Sequence, residues 1–418
     1  MDTLTDPGCM VADAELAALE AAIRADEPAY LVDLERLVNT DCGSYTPAGV
    51  DEVGRFVASF MTAHGARVDV RPDSAGTRGA TVIGTWDGPR ATAGGPRILL
   101  IGHMDTVFDP GTASARPFAI DADGIARGPG VTDMKSGLLA GLYAVKALVA
   151  AGPLPFEQLT WIANPDEEIG SPSSTPHIRE VAASADVCLV LECARANGDI
   201  VSSRKGILDA RITLHGRAAH AGVEPEKGRS AILAAADLVS RLHALNGRWD
   251  GVTVNVGVIH GGTRPNVVAE ACSLEVDIRA VRRADLEAVE AEIRTMLAAL
   301  AVTDVTAELE PMARWWPMEK LERSGRLVEH ARAIAGRLGF EVRDAATGGA
   351  SDANTTSGMG VASIDGLGPI GGMDHSPAEY LEVASIVPRT ALLAGLLLAV
   401  GRDPVVAGWR AAGPVMAG

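Results

Sequence analysis

The sequence is poor in cysteine: five in 418 residues, Cys9, Cys42, Cys188, Cys193 and Cys272. They are odd in number and scattered, which argues against both a zinc-finger spacing and an oxidised framework and points to a reducing cytoplasm. Basic charge is also scarce, with 37 Lys and Arg against 54 Asp and Glu, a net −17. Without a basic excess the chain has no means of releasing counterions from phosphates, which argues against nucleic-acid binding by bulk electrostatics. Residues 1–20 are acidic and lack a basic start and an apolar stretch, so no secretory signal is read there. The apolar run 391–400 is too short to span a membrane. Internal repeats and long disordered tracts are missing as well.

What remains is a hydrophobic content of 47% with 22% charge, the balance of a soluble chain with a large core. Its length allows two or three domains. Apolar spacing predicts helices over 14–38 and 48–64 and strands over 67–70 and 80–85. In residues 98–105, Ile-Leu-Leu-Ile-Gly-His-Met-Asp, the run 98–102 reads as a buried strand ending on a glycine, with two polar groups immediately beyond it. His103 and Asp105 are two residues apart at an extended end, so they project from one face. A histidine that binds a metal usually has a carboxylate to fix its tautomer. Taken alone, the pair is equally an ordinary polar turn.

The partners come from further strand ends. Asp133 stands in a glycine-lined turn before a helix reaching about residue 151, where an N-capping acid is the plain alternative. A strand over 158–164 runs into Glu167 and Glu168, and one over 186–192 ends on Glu192. Adjacent glutamates point in different directions, so one can bind a metal while the other handles a proton, although such pairs are often solvated surface charge. Parallel strands bring their carboxyl ends to one crevice, where these groups can meet. Near the C-terminus, a glycine-rich loop presents His375.

His103, Asp133, Glu168, Glu192 and His375 supply two imidazoles, three carboxylates and no thiolate, a donor set for zinc or for cobalt or manganese. If one carboxylate bridges, each of two ions receives the bridge, one His and one further carboxylate, leaving room for a shared water. Glu167 is then the spare group adjacent to a ligand, suited to be the general base.

Between these segments the pattern changes. Strands over 206–214, 252–259, 271–281 and 302–309 alternate with helices over 230–246 and 284–301, the β-α-β-β-α-β order of a ferredoxin-like domain. The reading is therefore an α/β fold with a mixed-sheet catalytic domain, residues 1–203 and 317–418, interrupted by an inserted domain, residues 204–316. A helix over 321–338, a strand over 361–364 and a helix over 386–401 complete the chain.

These motifs resemble the dizinc metallopeptidase and amidohydrolase family of the carboxypeptidase G-type glutamate carboxypeptidases, succinyl-diaminopimelate desuccinylase, acetylornithine deacetylase and the aminoacylases. The resemblance runs through His103-Met-Asp-Thr-Val, Gly130-Val-Thr-Asp-Met-Lys-Ser-Gly, Asn164-Pro-Asp-Glu-Glu-Ile-Gly-Ser and His375-Ser-Pro-Ala-Glu. It implies a zinc-peptidase fold whose inserted domain is a dimerisation lid. One zinc would be held by His103 and Glu192 and the other by Glu168 and His375, with Asp133 bridging and followed by a cis peptide bond. Asp105 would orient His103, and Glu167 would be the general acid/base for a metal-bridging hydroxide. His220, within Arg217-Ala-Ala-His-Ala-Gly, would reach the partner's site to hold the oxyanion; by itself it is a plain turn histidine. Asn266 and Arg279 would grip a substrate carboxylate, and Gly349 would wall the specificity pocket.

Glu192, where an aspartate is the family's other choice, resembles the carboxypeptidase and desuccinylase branches. At the return from the insert the sequence reads Arg314-Trp-Trp316-Pro, with Trp316 where carboxypeptidase-like relatives often carry arginine. Either Arg314 substitutes or Trp316 lines a bulky acyl pocket. The expectation is a cytoplasmic homodimeric dizinc hydrolase releasing a free amino acid from a small amino-acid conjugate or short peptide, with no membrane or nucleic-acid partner. Its rivals are an aminoacylase or deacylase acting on N-acyl amino acids and a catalytically silent dimeric binding protein.

Overall fold

The computed structural model describes residues 10–89 and 92–410. Cys9 and the start of the 1–20 segment lie outside them. In chain order the main elements are α1 (Asp13–Val38), α2 (Pro47–Ala63), β1 (Arg67–Arg71), β2 (Thr81–Asp87), β3 (Arg97–His103), α3 (Ser136–Ala151), β4 (Gln158–Asn164), α4 (Thr175–Ala182) and β5 (Val187–Val190). There follow β6 (Gly206–His215), α5 (Ala231–His243), β7 (Thr253–Gly261), β8 (Ala271–Ala280), α6 (Arg283–Ala298) and β9 (Thr306–Trp315). The chain closes with α7 (Glu322–Arg337), α8 (Asp352–Gly358), β10 (Ala362–Ile364) and α9 (Ile386–Arg402).

Two compact units result: Met1–Ser202 with Lys320–Ala346 and Ser351–Gly418, and Ser203–Glu319 with Thr347–Ala350. The return to the first unit comes three residues later than position 317, and the short piece Thr347–Ala350 joins the second unit. It is held there by backbone and guanidinium bonds, Lys205 N to Thr347 O at 3.2 Å and Arg279 Nη1 to Gly348 O at 2.9 Å.

The first unit is built on a six-stranded sheet in the order β1-β2-β4-β3-β5-β10. Strands β4, β3, β5 and β10 run parallel, and β2 and β1 add an antiparallel edge. The parallel strands are apolar on both faces because helices cover both. Helix α3 is apolar almost all round and correspondingly buried, as a helix inside a core must be. It approaches the sheet so closely that a Cβ on Gly137 would lie 1.9 Å from the carbonyl oxygen of Leu191. That contact fixes the segment leading to Glu192.

The C-terminal helix corrects the reading of residues 391–400. Val383–Arg402 is 20 residues long and apolar enough to cross a membrane, as is Val131–Ala151. The apolar windows of the two are 83% and 78% buried inside the unit, which assigns both to its core.

The second unit is a four-stranded antiparallel sheet, β7-β8-β6-β9, with its own core against α5 and α6. Alternate residues of β6 and β8 (Leu208, Ile212, Leu214, Leu274, Val276, Ile278) face the helices, as a half-covered sheet requires. Ser230 caps α5, accepting from Leu233 N at 3.1 Å. The order 2-3-1-4 is the ferredoxin-like arrangement.

A small sheet of Gly371–Gly372, Tyr380–Glu382, Ile125–Arg127 and Ala119–Ile120 leaves no periodicity in the sequence, since its strands are only two or three residues long. It brings the 373–379 loop against the turn that carries Asp133.

Candidate metal centre

The carboxyl ends of β3, β4 and β5 lie side by side, and the polar groups that follow them meet there. His103 is buried, with Nε2 3.1 Å from Asp133 Oδ1 and 3.7 Å from Glu192 Oε1. On its other side, Nδ1 is 3.0 Å from the Asp105 carbonyl oxygen and 3.4 Å from Asp105 Oδ1. Asp105 is fully buried and holds more than the ring. It accepts the hydroxyl of Ser44 at 2.6 Å and the backbone N–H groups of Glu167 and Glu168 at 3.1 and 3.3 Å.

Asp133 lies between the two histidines, its Oδ2 being 3.2 Å from His375 Nε2, and the same nitrogen is 3.0 Å from Glu168 Oε2. The Asp133–Met134 peptide bond is cis. Buried Glu379 braces this turn, its two oxygens accepting Gly130 N at 2.8 Å, Thr132 N at 2.9 Å and Asp133 N at 3.1 Å. His375 is more exposed than the others and has φ 60°. That left-handed backbone costs a non-glycine residue on the order of 1 kcal/mol, so the loop must hold it.

Glu167 and Glu168 lie on a short turn fixed by Asp166, which accepts Ser173 N and Oγ and Ser174 Oγ, all at 2.6 Å. Beneath it Asp352 accepts Ser171 Oγ at 2.6 Å and binds the Asn164 amide. Ser44, Glu379 and Asp352 are additions to the residues expected from sequence, where Glu379 appears only as the acid closing the 375–379 segment and Asp352 only as the end of the glycine-rich 348–352 segment.

The electrostatics are those of carboxylates gathered with too little positive charge. Burial, then the neighbouring Glu192, pushes the Glu167 carboxyl well above its ordinary range. Burial also raises Asp352, to about 7. His375 is raised to about 10 by its bonds to Asp133 and then Glu168. For His103 burial opposes the charged ring, but Glu192 and the bonds to Asp105 and Asp133 prevail and hold it well above normal.

Such a cluster asks for cations, and the donor set fits them. Potential ligand atoms of His103, Asp133 and Glu168 lie within 4.8 Å of one another, as do those of His103, Glu167 and Glu192. Glu168 Oε1 is buried with no hydrogen-bond partner among the described residues, an acceptor that a metal ion would satisfy.

The residues expected to touch substrate lie in the second unit. His220 is exposed, with Nδ1 accepting Gly222 N at 3.2 Å. A neutral ring bonded that way carries its proton on Nε2. Asn266 is exposed on the 262–268 loop, its carbonyl accepting Ala221 N at 3.0 Å. Arg279 Nε is bound by Asp277 at 3.1 and 3.2 Å, and Gly349 O accepts Arg204 Nη1 at 3.1 Å. Arg314 pairs with Glu290 of α6, and Trp316 packs on the unit's core with the Arg283 and Arg314 guanidiniums 3.9 and 5.2 Å from its ring centre. Both are engaged inside their own unit.

A profile of Peptidase family M20/M25/M40 matches residues 99–399. Carboxypeptidase G2 of Pseudomonas sp. (strain RS-16) is 32% identical over 386 residues, 90% of each chain. Succinyl-diaminopimelate desuccinylase of Xanthomonas campestris pv. campestris (strain 8004) is 28% identical, over 74% of this chain and 86% of its own. Among solved structures, aminopeptidase PepT from Bacillus cereus ATCC 10987 superimposes with a TM-score of 0.73 at 23% identity, covering 90% of this chain and 98% of its own. The M20 family metallo-carboxypeptidase Sso-CP2 from Sulfolobus solfataricus gives 0.69 at 16%, covering 89% and 99%.

Proposed function

The chain belongs to peptidase family M20/M25/M40 and is a metal-dependent hydrolase, and from that premise we propose that it cleaves the amide bond to a free amino acid, in the manner of a carboxypeptidase. The observation that carries this reading is the placement of Glu167, whose carboxylate lies within 4.8 Å of donor atoms of His103 and Glu192. Its backbone is bound by the same Asp105 that faces the His103 ring.

His103, Glu192, Glu168 and His375 would hold two zinc ions, or cobalt or manganese, with Asp133 shared between them. Such ions, when bound, polarise the amide carbonyl and acidify water. Glu167 takes the proton of the attacking water and returns it to the departing amine, the general acid/base role of a carboxyl placed beside the reacting centre. Asp105 fixes the His103 ring. Asn266, with Arg279 through Nη2, binds the amino-acid carboxylate, beside the backbone of Gly349.

We assign the charge developing on the carbonyl oxygen to Nε2–H of the partner subunit's His220. A homodimer is supported by β7, an edge strand whose Val258 and Ile259 are exposed, beside exposed Ile232 and Leu233 of α5. The four described cysteines are buried free thiols, which fits a reducing cytoplasm. A second reading, hydrolysis of N-acyl amino acids, is favoured by the similarity to a protein named as a desuccinylase.

A metal-loaded preparation offered peptides and N-acyl amino acids separates these readings by which series turns over. Glu167→Gln should bind metal normally and lose about 10²–10⁴-fold in kcat. Near-wild-type turnover in that variant would overturn the assignment, and a metal-replete chain that hydrolyses neither series would be a binding protein.

A further inference from the structure

We propose that a pocket at the edge of the first unit's sheet receives the acyl side of the substrate, and that Arg78 there selects an acyl group carrying a carboxylate. The inference rests on the amide-hydrolase reading and names its substrate class. The pocket is about 500 Å³ and lies between residues 71–81 and 172–177.

Its position follows from strand direction. β2 runs antiparallel to β4, with Val82 opposite Ala163, so Thr81 starts at the carboxyl end of β4. β3 is the next strand, with His103 opposite Asn164. Two interstrand spacings, about 10 Å, therefore separate Thr81 from His103. The walls are also tied to the metal centre. Ser44, which donates to Asp105, is followed by Tyr45, and the Arg78 guanidinium lies 4.5 Å from the Tyr45 ring centre. Opposite, Ser173 is bound to Asp166, the residue before Glu167.

The charges single out Arg78. Arg71 is matched by Asp69 at 2.8 Å and by Glu180 at 2.7 and 3.1 Å, and contacts His177 Nδ1 at 3.2 Å. Asp73 turns into its own loop, accepting the N–H groups of Ala75, Thr77 and Arg78. Among the described residues no carboxylate pairs with Arg78: Nη1 donates to Thr77 O at 3.2 Å, and Nε is buried without a hydrogen-bond partner. A guanidinium with an unanswered buried donor is matched in charge and fork geometry by a carboxylate. Tyr45, 71% exposed, presents its ring to that guanidinium.

The test compares the N-succinyl and N-butanoyl derivatives of one amino acid as substrates of the metal-loaded full chain. The wild type should favour the succinyl compound by about tenfold or more in kcat/KM, through KM, as expected of a charge-assisted bond. Arg78→Ala should bring the ratio close to one. Arg78→Gln, which fills similar space without the charge, should do the same. Hydrolysis without that preference, a preference that survives both substitutions, or turnover of peptides but of neither acyl compound, overturns this inference alone. Hydrolysis of neither compound, nor of any peptide, overturns the amide-hydrolase reading and this one with it.

Discussion

The Asp105 carboxylate accepts the backbone N–H of Glu167 at 3.1 Å while its Oδ1 lies 3.4 Å from the ring of His103. One buried acid therefore sets both a proposed metal ligand and the proposed acid/base. Asp105→Asn keeps the shape and removes the charge that steadies the ring and the turn. Metal affinity should fall about 10–100-fold, the usual effect of losing such a partner. Competition with a chromogenic chelator measures it. Unchanged affinity together with unchanged turnover would dismiss Asp105 as a positioning residue.

Glu379 poses the same question for Asp133. Its two oxygens satisfy three backbone N–H groups of the 130–133 turn. Glu379→Gln replaces one acceptor by an amide that points N–H at N–H. The variant should lose roughly 2 kcal/mol of stability, the scale of an unanswered buried donor, and should bind metal more weakly. Chemical denaturation with and without metal checks both, and the deficit should be larger in the metal-loaded protein.

Much of the fold was legible because burial writes period 2 or period 3.6 into the chain. The run 98–102 and the alternation over 206–214 fall within a residue or two of the bounds of β3 and β6. What escaped depends on contacts distant in sequence. Ser44 and Asp105 are 61 residues apart and Glu379 and Gly130 are 249, so no local pattern records either bond. Apolar spacing puts the last strand of the insert at 302–309, whereas β9 is Thr306–Trp315. Pro311 makes its second half unlike a central strand, and it is tolerated because β9 is an edge strand with a register shift at Pro311/Ala313. The carboxylates at strand ends could be collected from sequence, but that Arg314 faces Glu290 could not.

Away from the metal centre, Asp403 ties the end of α9 to α7. Fully buried, it accepts Arg326 Nε at 2.5 Å and lies 2.8 Å from His330 Nε2. Burial opposes its charge, but the bonds to His330 and Arg326 prevail and bring the carboxyl down to about 2. Because the folded value lies below the unfolded one, the stabilisation is complete above about pH 4 and drains away toward pH 2. Asp403→Asn should cost roughly 3 kcal/mol at pH 7, the scale of a broken buried ion pair. The gap between wild type and variant, measured by denaturant unfolding, should narrow as the pH is lowered from 5 to 3. A gap independent of pH would mean that packing, not charge, accounts for the loss.

The proposed role of His220 across a dimer makes a prediction that neither subunit can satisfy alone. Glu167→Gln and His220→Ala should each be nearly inactive. In a mixed dimer, the subunit carrying His220→Ala keeps its own Glu167 and receives His220 from the other chain, so one site of the two is complete. With random exchange half of the dimers are mixed, so about one quarter of wild-type activity should return. Adding Ile259→Lys to both chains places charge on the exposed edge of β7, which should keep the subunits apart and prevent the recovery. Sedimentation velocity follows the assembly while turnover follows the site. Recovery without dimers, or dimers without recovery, would remove His220 from the partner's active site.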